Sequence, residues 1–238
     1  MTDLDFARPD ALFDLDDFAH RDLFAGVTHA WEALGERLKR YIDEHVEHAL
    51  LGEVEEGAHV FGPVYLAEGA KIEAGAYVRG PVILGPETVV RHGAYVRGYV
   101  LAGRGAIIGH STEAKMSVFM NLAAAGHFAY VGDSILGNGV NLGAGTKLAN
   151  FRVFPGNVKV RTPSGEKHES GLLKLGAILG DEVQIGCNSV TAPGTVVGQY
   201  SRVYSVVSLR GTIPPHTLVG TGEDPPQREL KPVGPMVR

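Results

Sequence analysis

The sequence predicts an all-β chain wound into triangular coils of short parallel strands, and three observations lead there. An apolar residue recurs at every sixth position from Val54 through Val60, Leu66, Ile72, Val78, Leu84 and Val90 and on to Met120. A small or β-branched residue stands four positions after each of these, as at Ala58, Val64, Ala70, Ala76 and Val82. Glycine accounts for 32 of the 238 residues, with no G-X-Y period, so the excess marks turns and not collagen. A period of six fits neither a helix nor a plainly alternating strand. It fits one short strand and one tight turn per side, with three sides to a coil of 18 residues. Such coils stack about 4.8 Å apart, like strands of a sheet. The hexads in the chain predict six to seven of them.

The elements follow in order. Residues 1–50 form an extension whose apolar stripe Phe24, Val27, Trp31, Leu34, Leu38 and Ile42 has helical spacing. That helix is expected to cap the open edge of the first coil. Residues 51–220 carry the coils. The six-residue register is lost after Met120, so 121–135 reads as a loop. It resumes at Leu136, Leu142 and Leu148, and again from Leu179 through Ile185, Val197 and Val203 to Leu209. Between these, 151–174 alternates in VKVR and turns in TPSGEK, which predicts an extruded hairpin. The tail, 221–238, reads as a poorly ordered or partner-bound extension.

Composition excludes several functions. The net charge of −5, from 22 basic and 27 acidic residues, argues against a surface that coats nucleic acid. The single cysteine, Cys187, cannot form an internal disulfide and fits a reducing compartment. No apolar run approaches the roughly 20 residues of a membrane span, and the N-terminus is acidic where a signal peptide is basic. A soluble cytoplasmic protein is the expectation.

Two features carry chemistry. Arg97 and Lys115 are 18 residues apart and take the same place on adjacent coils. Two stacked cations are unfavourable unless an anion joins them, and an Arg–Lys pair suits a phosphate. Two solvated cations splaying apart is the plainer alternative. The second feature is His127, where the register is interrupted, beside Phe128 and Tyr130. Histidine is the usual general base near neutral pH, although one of ten histidines is more often structural.

The hexapeptide pattern resembles the left-handed parallel β-helix of the hexapeptide-repeat acyltransferases. The stretch GHFAYVGDSILGNGVNLGAGT, residues 126–146, resembles the acetyltransferase domain of bifunctional glucosamine-1-phosphate acetyltransferase/N-acetylglucosamine-1-phosphate uridyltransferases. With STEAK at 111–115 it is closer still to the C-terminal β-helix of sugar-1-phosphate nucleotidyltransferases. The resemblance implies His127 as catalytic base, Asn141 and the Ala144 amide beside it, and Tyr130 on the sugar. It implies Arg97 and Lys115 on the phosphate. A further substrate lysine belongs after Asn150, where the chain departs from the family pattern; Lys174 is the candidate there, with Lys147 and Lys159 as rivals. Acetyl-CoA is the implied acyl donor, an amino-sugar 1-phosphate the acceptor, and a homotrimer the assembly, with no metal. Nothing resembles the glycine-rich nucleotidyltransferase loop, and about 50 residues before the coils cannot hold that domain, so no pyrophosphorylase activity is expected.

Other readings compete. A carbonic anhydrase of the same fold requires three zinc-bound histidines, two spaced HxxxxH, and no two histidines here are five positions apart. A regulatory or assembly module that binds a sugar phosphate without turnover, and an acyltransferase for another amino sugar or acyl group, remain as alternatives.

Overall fold

A computed structural model describes residues 4–220 and the backbone of 227–229. Among these residues the chain winds into a left-handed parallel β-helix of three sheets with nine, ten and eight strands. The first face runs from Ala49–Leu50 to Thr212–Ile213, the second from Glu53–Val54 to Thr217–Val219, and the third from His59–Phe61 to Ser208–Leu209. The tenth strand of the second face, Gln227–Glu229, pairs antiparallel with Thr217–Val219. The rest of the expected tail lies outside the described residues.

The hexad residues point inward as their period requires. Leu66, Ile72, Val78, Leu84 and Val90 are fully buried in one continuous core, and Val60 packs against its open end. On a three-residue strand the two end side chains share a face and the middle one takes the other. Val82 and Leu84 therefore enter the core while Ile83 points out.

The coil count exceeds the six to seven expected, because the first face alone holds nine rungs. Residues 121–135 are not a loop: Ala124–His127, Tyr130–Gly132 and Ile135–Leu136 continue the three faces without a break. The register is lost for a local reason. Val96 pairs with Ala114, 18 residues on, but Val100 pairs with Ser117 and Ile107 with Ala124, each 17 on. One residue has been dropped at the corner after Lys115, and the next coil keeps the shorter length, with Val131 opposite Leu148. A count by six slips there while the stacking does not.

The N-terminal segment does not cap the first coil. It folds as 3₁₀ turns at Arg21–Phe24 and Ala30–Ala33 and an α-helix at Glu36–His45. Its Phe18, Leu23, Trp31, Leu38 and Ile42 form a second buried cluster with Ile83, Leu101, Val118, Ile135, Ile178 and Val196. Those six are the outward middle residues of successive rungs of the first face. An apolar column on a sheet's outer face needs cover, and the amphipathic segment supplies it. The first coil stays open, with Val54 and Phe61 exposed. The insertion does form a hairpin, Lys159–Arg161 against Lys167–Glu169. It turns back onto the coils, so that Val158 and Val160 join the same outer cluster.

Two outcomes test this packing. Leu101→Ala should destabilise the protein by about 2–5 kcal/mol in denaturant unfolding, since Leu101 is fully covered; a helix sitting over the first coil instead would leave the loss under about 0.5 kcal/mol. His20 lies against Phe18 and Tyr41, and burial, with help from the charge of His45, pushes its pKa down to about 4. The unfolded chain takes up this proton near pH 6.5 and the folded one does not, so stability should fall between pH 6.5 and 4. His20→Gln should flatten the curve of unfolding free energy over that window, and an unchanged curve would refute the assignment.

Candidate functional site

The predicted residues lie along the third face and its two corners. At the first corner His127 ends the strand Ala124–His127, opposite His110 on the previous coil. Ala125 pairs with Leu142 and the Gly145 amide donates to the His127 carbonyl at 3.0 Å, which sets Ala144 beside His127 on the next coil. The His127 ring is exposed and, among the described residues, neither it nor the Ala144 amide has a hydrogen-bond partner. Phe128 follows with φ +52°, a backbone conformation costly for a bulky residue, and its ring meets His110 edge-on at 5.2 Å. Asn141 sits on the second face opposite Ala124, three residues before Ala144.

Across the third face one outward ladder runs Tyr77, Tyr95, Glu113, Tyr130 and Lys147. Lys147 is exposed and its ammonium donates to the Gly145 carbonyl at 2.6 Å. At the far corner Arg97 and Lys115 occupy the same place on adjacent coils, as their spacing predicts. On the coil after, that place belongs to Gly132. A Cβ there would lie 2.5 Å from the Tyr130 hydroxyl and 2.7 Å from the Asn150 amide nitrogen, so only glycine admits both groups.

The two cations are not an empty anion clamp. Arg97 Nη1 reaches Glu113 Oε1 at 2.6 Å, and Lys115 Nζ reaches Asp133 Oδ2 at 2.6 Å. Asp133 also accepts from Asn150 Nδ2 at 2.5 Å, and the same nitrogen donates to the Tyr130 hydroxyl at 3.1 Å. The 18-residue spacing of Arg97 and Lys115 marks the cations alone, whereas Glu113, Asp133 and Asn150 complete the cluster around them. The signal was available: Asp133 adjoins Gly132, which follows Lys115 by 17 residues, and Asn150 follows Asp133 by 17, the local coil length. The two pairs differ in depth. The side chains of Lys115 and Asp133 are 14% and 9% exposed, whereas those of Arg97 and Glu113 are 45% and 33% exposed. Burial also raises the Tyr130 pKa, which keeps its hydroxyl protonated at neutral pH.

The lysines separate. Lys174 is exposed and pairs with Phe151 at the neck of the hairpin, beside Leu175, whose amide donates to the Asn150 carbonyl at 2.9 Å. Lys159 stands on the hairpin with Glu169 at 2.7 Å. The structure thus groups Lys115, Tyr130 and Asn150, sets Lys147 next to Tyr130, and keeps Lys159 out of the cluster.

The fold makes the chain a hexapeptide-repeat β-helix. Its sequence is similar to part of bifunctional sugar-1-phosphate nucleotidylyltransferase/acetyltransferases. The protein of that name from Sulfurisphaera tokodaii is 40% identical over 154 residues, 65% of this chain and 38% of that protein. The bifunctional protein GlmU of Methanocaldococcus jannaschii is 35% identical over 205 residues, 86% of this chain and 49% of its own length. The bifunctional protein GlmU of Methanococcus maripaludis is 46% identical over 177 residues, 74% of this chain and 42% of that one. The chain therefore spans less than half the length of these curated relatives. No protein-family model matches it. Among the described residues no helix is long and apolar enough to cross a membrane.

Lys115→Ala strands a buried Asp133 with Asn150 as its remaining side-chain donor, and should cost about 3 kcal/mol in urea unfolding. Lys115→Ala/Asp133→Ala should recover part of that loss. A single-variant loss under about 0.5 kcal/mol would reduce the pair to an ordinary surface contact.

Proposed function

We propose that the chain transfers the acetyl group of acetyl-CoA to the amine of an amino-sugar 1-phosphate. The observation that carries this reading is the juxtaposition of an unengaged imidazole, His127, and an unengaged backbone amide, Ala144, on adjacent coils. Acyl transfer to an amine requires a base and a donor to the oxyanion, and those are the two groups at this corner. The amine nitrogen attacks the thioester carbon as His127 takes its proton. The oxyanion gathers on the Ala144 amide, the carbon–sulfur bond breaks, and the imidazolium returns the proton to the departing thiolate of CoA. Asn141, half-exposed on the adjoining strand, orients the amine or the imidazole.

The acceptor extends across the third face. Tyr130 meets the sugar, and the phosphate engages Arg97, whose exposed pair with Glu113 is worth at most about 1 kcal/mol and yields readily. Lys115, held by Asp133, forms a fixed floor beside it. Lys147 and Lys174 border the same strip and supply the remaining substrate contact. This strip is an open face, and exposed Phe61, Tyr77 and Tyr95 lie on the third face of earlier coils. A homotrimer, in which a neighbouring copy walls the strip, gives it the enclosure that acyl transfer needs. The substrates and the free Cys187 thiol suit the cytoplasm.

His127→Ala should lower kcat by about 10²–10⁴-fold, with the melting temperature unchanged because the ring is exposed and, among the described residues, unpartnered. A stable His127→Ala protein with near-full acetyl transfer to glucosamine 1-phosphate would overturn the mechanism.

A further inference from the structure

The hairpin at 151–174 does more than cover the outer cluster. Between it and the late coils lies a cleft of about 500 Å³ lined by Arg152, Lys159, Arg161, Lys167 and Arg210 together with Phe154. Five cations face one space and no carboxylate lines it. Lys159 has an ion pair, with Glu169 at 2.7 Å. Arg152 and Arg161 donate only to backbone carbonyls, those of Asn157 and Gly165, and Lys167 and Arg210 have no partner among the described residues. Like charges gathered this closely repel unless an anion joins them, and the guanidinium forks suit phosphate oxygens.

The cleft is built and not a chance gathering of mobile side chains. Its hairpin wall is pressed against two coils at glycine positions. A Cβ at Gly194 would lie 2.7 Å from the Lys159 carbonyl oxygen, and one at Gly211 would lie 3.2 Å from Arg161 Cδ. The Thr212 hydroxyl donates to the Arg161 carbonyl at 2.5 Å, which fixes the strand that carries both cations. Phe154 is 72% exposed, an aromatic ring left in water while lining a cationic cleft. Four cations without a carboxylate partner among the described residues exceed what one phosphate uses, and an exposed ring offers a stacking face to a base.

From this we infer that the cleft is a binding site for a nucleoside diphosphate, the phosphates on the arginines and lysines and the base on Phe154. It lies on the corner that also bears Arg97 and Lys115. Register places Ala192 three coils beyond Lys115 and Arg210 one coil further. At about 4.8 Å per coil that is roughly 14–19 Å. The site is thus separate from the phosphate contact proposed above, and it does not rest on the acyl-transfer reading. The diphosphate comes either as a free nucleotide or as the nucleotide half of a nucleotide-linked sugar whose sugar extends toward Tyr130.

Titration calorimetry with UDP and with pyrophosphate on the full chain tests the site. Both should bind saturably and weaken with added salt. Arg161→Glu/Arg210→Glu should weaken both at least tenfold, with an unchanged melting temperature because both side chains are exposed. Phe154→Ala should weaken UDP by about tenfold and leave pyrophosphate unchanged. The two sources are told apart by acetyl transfer to a UDP-linked amino sugar and to glucosamine 1-phosphate. A fall in kcat/KM confined to the UDP-linked acceptor in the double variant assigns the diphosphate to the acceptor; UDP binding with neither rate affected assigns it to a free nucleotide. Absence of saturable UDP binding, or an affinity indifferent to the charge reversal, overturns the site.

Discussion

Everything in this molecule depends on backbone hydrogen bonds between successive coils, which set each residue beside the one 17 or 18 positions on. Parallel pairing of this kind converts sequence distance into spatial distance by a fixed rule. Residues six apart belong to different faces, and residues one coil apart touch. The site follows from that rule: His127 and Ala144 meet because they are 17 apart, and Lys115 reaches Asp133 because Asp133 adjoins Gly132, its register partner 17 positions on. No long-range fold search is needed to bring them together, only the stacking of neighbours.

The same rule decides what could be read in advance. Inward positions obey the period of six, so the core from Leu66 to Val90 was legible residue by residue. The outward column Ile83, Leu101, Val118, Ile135, Ile178 and Val196 repeats only once per coil, and a count by six does not expose it. Without that column the amphipathic N-terminal stripe had no visible partner, and the open first coil looked like the surface in need of cover. The single missing residue after Lys115 had the opposite effect, making regular strands read as a loop. Polar columns are harder again, because a carboxylate beside a lysine is common in any sequence. Asp133 and Asn150 become meaningful only once the coil length is known to be 17 there.

The electrostatics of the third face rest on depth more than on count. Lys115 and Asp133 are nearly enclosed, and removing either leaves a charge in a poorly solvated place, so the pair acts as a fixed part of the scaffold. Arg97 and Glu113 are partly in water, where an ion pair is cheap to break. A face that carries both kinds has a rigid floor and an exchangeable surface. Tyr130 joins the two levels, its ring on the outward ladder and its hydroxyl on the Asn150 amide that also holds Asp133.

The neck of the hairpin has a consequence for how such a molecule changes over time. Phe151 and Lys174 bridge, Leu175 closes onto Asn150, and the strands on either side pair as though nothing intervened, Ile135 with Ile178 and Lys147 with Val190. The scaffold holds the two ends of the excursion together, so the entropy of closing a loop there is already met, and it grows only slowly with loop length. That corner is therefore a socket. Segments of other lengths can be exchanged in it, by evolution or by design, provided they replace the cover that Val158 and Val160 give the outer cluster.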